Sequence, residues 1–169
     1  MENSLDSQVE KEYGELYKEH LLEQYKIYLD MTDKISDRRH NMNSLFLGLN
    51  TSIVSALSIA SFTVKMSKEN VFFKDYIFFS AVSLLIFCFV WYRLICSYKQ
   101  LNSVKFDVIN EIEKKLPIKP FEYEWVRLEK GKNSSIYSPF SKIEKYVPIA
   151  YAILYFLLIA HLYIKYLWV

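Results

Sequence analysis

Three stretches of this chain carry no Lys, Arg, Asp or Glu for long enough to cross a bilayer: Asn43–Val64, Tyr76–Tyr92 and Val147–Ile164. A hydrocarbon core about 30 Å thick needs roughly 20 apolar residues at 1.5 Å per residue. The first is polar for a span. The second, YIFFSAVSLLIFCFVWY, can run on past Arg93, whose long side chain snorkels to the head groups. In the third, Pro148 is tolerated near the first turn, where its missing N–H removes no helical bond. Tyr146, Tyr163, Tyr166 and Trp168 are placed to act as interfacial anchors.

Composition agrees with an all-α integral membrane protein. A 52% hydrophobic, 17% aromatic chain of 169 residues is too apolar for an ordinary soluble domain. Three glycines and four prolines cannot supply the turns of an all-β fold. The net charge of +2 is spread along the chain, which excludes the one-sided basic stripe of a nucleic-acid binder. The first 42 residues lack the apolar core of a signal peptide, so insertion is expected through the internal spans.

Charge orients the spans. Lys26, Lys34, Arg38 and Arg39 precede the first, and Arg93, Lys99, Lys105, Lys142 and Lys145 flank the second and third on their shared side. Both regions are expected in the cytoplasm, with the N-terminus inside and the C-terminus outside. The lysines of the loop from Lys65 to Asp75 weaken this contrast.

The expected organisation is an amphipathic cytoplasmic helix within residues 1–42, two spans in 43–97, a cytoplasmic helical region over 98–145, and the third span in 146–169. Tyr17, Leu21, Tyr25, Tyr28, Met31 and Ile35 recur at helical spacing in the first segment. Leu101, Val104, Val108, Ile109, Ile112 and Leu116 do so after the second span, which predicts one continuous helix from about Tyr76 to Leu116. Pro117 and Pro120 end it. Phe121, Tyr123 and Trp125 alternate, as a short strand would, yet fit better as a cap on the long helix. Asn133-Ser-Ser matches a glycosylation acceptor by pattern, without meaning on the cytoplasmic side.

Chemistry in the catalytic sense is not expected. His20, His40 and His161 lie in separate segments without metal-ligand spacing, and no glycine-rich phosphate loop or nucleophile motif is present. The carboxylate pairs Glu111 with Glu113 and Glu122 with Glu124 read as solvated positions. Cys88 and Cys96, eight residues apart on one helix, are beyond disulfide reach. No enzyme activity and no cofactor are expected.

Packing chemistry is present instead. Ser44, Gly48, Ser52, Ala56 and Ala60 repeat every four residues, a flat stripe on which another helix can approach closely. Asn43 and Asn50 share nearly one face, with Thr51, Ser55 and Ser58 close by. A buried amide in hydrocarbon requires a partner: another span of the same chain, a neighbouring subunit, or water in a lumen. Arg38 and Arg39 hold the start of this span at the interface and are candidates for binding anionic head groups or a phosphorylated ligand.

Three blocks carry a resemblance: ISDRRHNMNSLFLGLNTS at 35–52, WYRLICSYKQLNSVKFDVINEIEKKLPIKPFEYEW at 91–125 and YSPFSKIEKYVPIAYAILY at 137–155. With them the chain resembles the RipA-like family of small bacterial octameric membrane proteins. The resemblance implies an inner-membrane homo-oligomer, an eight-membered ring with a large cytoplasmic part, whose partners are itself, lipid and a cytoplasmic protein or signal. It supplies no reaction; it points to envelope function and growth under stress, or to an antiphage effector. It marks Arg38, Arg39, Asn43, Asn50, Tyr98, Asn102, Lys105, Pro120, Phe121 and Trp125 as positions for subunit contacts or a gate.

Overall fold

The computed structural model describes residues 11–67 and 73–167, and these form helices and turns without a strand. Helix α1 spans Tyr17–Ser67, α2 Phe73–Glu113, α3 Pro120–Arg127, α4 Phe140–Glu144 and α5 Tyr146–Leu167. Three of these helices are long and apolar enough to cross a membrane, α1, α2 and the stretch containing α5.

The charged segment and the first span that follows it are one helix of 51 residues, about 75 Å at 1.5 Å per residue. The change from charged to apolar composition near Asn43 alters the solvent, not the backbone. Gly14, at φ +80°, sets the chain direction just before α1. The far end of α1 reaches into the lysine-bearing loop expected from Lys65 to Asp75, and residues 68–72 of that loop lie outside the described residues.

Helix α2 is the second long rod, 41 residues or about 60 Å. It stops at Glu113, three residues before the expected end. Pro117 disfavours helical geometry at Leu116, so the last amides tighten to i−3 bonds, Lys115 N to Ile112 O at 2.9 Å and Leu116 N to Glu113 O at 3.1 Å. Phe121, Tyr123 and Trp125 lie on α3, so the strand alternative is not realised; Pro120 at its first position favours a helix start. Phe121 packs on Phe106 of α2, ring centroids 5.7 Å apart.

Helix α2 is central and packs on both α1 and α5. One core cluster joins Phe46, Trp91 and Ile95, with Phe46 and Trp91 stacked at 5.6 Å; the next joins Leu84, Cys88 and Tyr155. Both cysteines are free thiols. Pro148 is fully buried in the first turn of α5. Tyr146 and Tyr163 are exposed, as anchors would be, while Trp168 and the side chain of Tyr166 lie outside what is described.

Beyond α3 the chain turns through left-handed backbone at Glu129, Lys130 and Gly131. Only glycine fits the last of these, because a Cβ would meet Pro139 Cγ at 2.9 Å and Trp125 Cη2 at 3.3 Å. Asn133 serves as a turn former, its Oδ1 accepting from Ser135 N at 3.1 Å.

Candidate functional site

A neutral amide ties the membrane helices together. Asn50 on α1 is fully buried; its Nδ2 donates to Phe46 O at 2.8 Å, and its Oδ1 accepts from Tyr155 Oη of α5 at 2.8 Å. Cys88 Sγ of α2 approaches the same oxygen at 3.9 Å. Two turns earlier on α1, Asn43 Oδ1 accepts from Trp91 Nε1 of α2 at 2.8 Å. Of the three partners that the sequence left open for these amides, the structure shows bonds within one chain.

The other side of the same helix is uncovered. Ser44, Gly48, Ser52 and Ala56 are exposed, and Ala60 is half-buried. Gly48 lies two residues from Asn50, a rotation of about 200°, so stripe and amide face opposite ways. Thr51, Ser55 and Ser58, which spacing alone grouped with Asn50, are exposed with the stripe. Thr51 and Ser58 satisfy their hydroxyls on their own helix, bonding Leu47 O and Val54 O at 2.8 Å each. Only 11, 22 and 11% of the three span windows are buried within the protomer, so lipid or neighbouring subunits must cover the rest.

Outside the membrane a carboxylate does what Asn50 does inside it. Glu113, expected to be solvated, is fully buried: a correction with a clear cause. It follows Ile109 by four residues, on the same buried helix face. Its Oε1 accepts from Tyr25 Oη of α1 at 2.9 Å and from Phe121 N at 3.2 Å, and its Oε2 accepts from Glu122 N at 3.3 Å. The carboxylate thereby caps the first turn of α3, where Lys119 gives no side-chain cap, and fastens α1 to α2. Burial, helped by the hydrogen bond and charge of Glu113, pushes the Tyr25 phenol up to about 12.

A cavity of about 570 Å³ lies between the foot of the membrane helices and α3. Arg39, Asn102, Phe121 and Trp125, four of the expected site residues, line it together with Lys99 and Lys142. Arg39 is largely buried and pairs through Nε with Glu144 Oε2 at 3.5 Å, too loose to satisfy that oxygen as a hydrogen bond. Asn102 Oδ1 is buried without a partner. Lys142 Nζ donates to Gly131 O at 2.9 Å.

The other expected residues stand apart from this cavity. Lys105 sits over the Tyr28 ring at 5.1 Å and joins α2 to α1; Tyr98 is half-buried; Pro120 and Arg38 are exposed. Tyr155, Trp91 and Glu144 were not singled out, and Glu113 only as a solvated carboxylate. The register of the Ile109 stripe could have exposed Glu113, whereas the partner of Asn50 lies 105 residues away in sequence.

Comparison with curated proteins and with solved structures yields no match. The model of the octameric membrane protein family matches residues 22–164, from the charged half of α1 through the third span. That range takes in both hubs, the outward stripe and the cavity, and the chain belongs to the octameric membrane protein family.

Proposed function

We propose that eight copies form a ring in the bacterial cytoplasmic membrane, N-terminus inside and C-terminus outside, acting as a pore-forming effector without enzyme activity. Its long cytoplasmic helices would receive a signal or partner protein, in stress or antiphage defence, and pass it to the spans along continuous α1 and α2. The observation that carries this reading is the outward arc of α1, where Ser44, Gly48, Thr51, Ser52 and Ser55 stay exposed. Small and hydroxylated residues there suit close contact with a neighbouring helix or a wet lumen, and gain little from lipid.

A second reading, a non-conducting scaffold for envelope or lipid upkeep, draws support from the sequestered amides. Asn43 and Asn50 are committed inside the protomer, so the arc offers water only small hydroxyls.

The test pairs particle mass with ion flux. Light scattering of detergent-purified protein is expected to give one species near eight chains, and Gly48→Leu to reduce that mass while helicity is kept. Liposome flux separates the readings. Leak that Ser52→Leu diminishes supports the pore, and an intact octamer that never leaks under any condition leaves the scaffold.

A further inference from the structure

The cavity beside Arg39 has the position and chemistry of a phosphate-ester site, and its location relative to the bilayer is the first argument. Arg39 lies four residues before the first span, Lys99 seven after Tyr92 and Lys142 five before the third. At 1.5 Å per residue these cations stand about 6–10 Å beyond the hydrocarbon ends, near the depth of lipid phosphates. They come from α1, α2 and α4, so the fold gathers them around one cavity.

The second argument is incomplete bonding. Among the described residues Lys99 has no carboxylate partner, and the contact of Arg39 with Glu144 leaves the carboxylate oxygen without a hydrogen bond. Asn102 Oδ1, a buried acceptor on the wall, also lacks a donor. Such an acceptor carries a desolvation cost until a donor reaches it. Asn102 follows Lys99 by three residues, nearly one turn farther from the membrane. Asp107 and Glu124 line the same cavity, so its deeper part suits donors rather than a second anion.

We propose that this cavity binds a phosphate ester whose alcohol part carries free hydroxyls. The phosphate meets Arg39, Lys99 and Lys142, and a hydroxyl donates to Asn102 Oδ1. A phosphatidylglycerol head group and a soluble glycerol phosphate share this chemistry. The assignment is independent of whether the ring conducts.

The experiment measures thermal unfolding of the full chain in phosphatidylcholine nanodiscs, in nanodiscs with phosphatidylglycerol added, and in phosphatidylcholine nanodiscs with glycerol phosphate in the buffer. The midpoint is expected to rise in at least one of the latter two, and which one identifies the source. Lys99→Gln, at a residue without an ion pair, should weaken apparent binding about tenfold, the scale of one charge-assisted hydrogen bond. Lys145→Gln, equal in charge and at the same end of the spans but off the cavity, should respond as wild type does. Asn102→Leu should erase the preference for phosphatidylglycerol over phosphatidic acid, which lacks the head-group hydroxyls. No rise in either arm overturns the assignment, as does a response of Lys99→Gln equal to that of Lys145→Gln.

Discussion

The two halves of the protomer solve one problem with different groups. In the membrane a neutral amide, Asn50, bonds α1 to α5 and sits against α2; in the part outside the spans a carboxylate, Glu113, bonds α2 to α1 and α3. Each hub is fully buried. The difference follows from solvent. A charge at bilayer depth is costly even when paired, whereas an amide there needs only its hydrogen bonds. Outside the bilayer, a carboxylate can be buried where three donors converge and a helix N-terminus adds positive potential. The carboxylate hub should therefore be the stronger and the more sensitive to charge.

Removing the charged hub is the harshest way to break this contrast. Glu113→Ala leaves the Tyr25 hydroxyl and two amides of α3 without an acceptor, with an expected cost of about 3 kcal/mol. Glu113→Gln keeps acceptor capacity on one oxygen and should cost roughly half as much. Equilibrium unfolding in mixed micelles reads both. Equal losses for the two variants would mean that shape, not charge, matters at this site.

At the neutral hub, Asn50→Leu strands the Tyr155 hydroxyl inside the bundle, and the expected loss is about 1 kcal/mol, because hydrogen bonds between membrane helices are individually modest. The double variant Asn50→Leu with Tyr155→Phe should recover part of it, since removing both partners spares the unmet group. A loss for Asn50→Leu as large as that of Glu113→Ala would reverse the ranking of the hubs.

The long helices, their order along the chain and the stop near Pro117 were legible in the sequence, because each follows from local pattern or proline chemistry. The single 51-residue α1 was less so, since the boundary at Asn43 is a change of solvent that leaves the backbone untouched. The cavity was half legible. Arg39, Asn102, Phe121 and Trp125 came through the resemblance, while Lys142 entered only as a flanking charge and Glu144 not at all. The facing directions on α1 were hidden for a simpler reason. Spacing placed Asn50 near Thr51 and Ser55, but which side of a span turns inward depends on Trp91 and Tyr155, distant in sequence.

The gentlest way to sharpen the contrast is pH, because Asn50 carries no titratable proton and the Glu113 hub includes the Tyr25 phenol. The Tyr25 phenol is held neutral, up to about 12, by burial and by the carboxylate it donates to. A folded-state value above the ordinary 10 means that the folded form keeps its proton longer than the unfolded form. The associated stability is complete below pH 10 and is lost as pH rises toward 12. The difference in unfolding midpoint between wild type and Tyr25→Phe should therefore be constant up to about pH 10 and shrink above it. A constant Tyr25→Phe difference through pH 12 would show that the phenol is not under the carboxylate's influence, and that the two hubs differ in geometry alone.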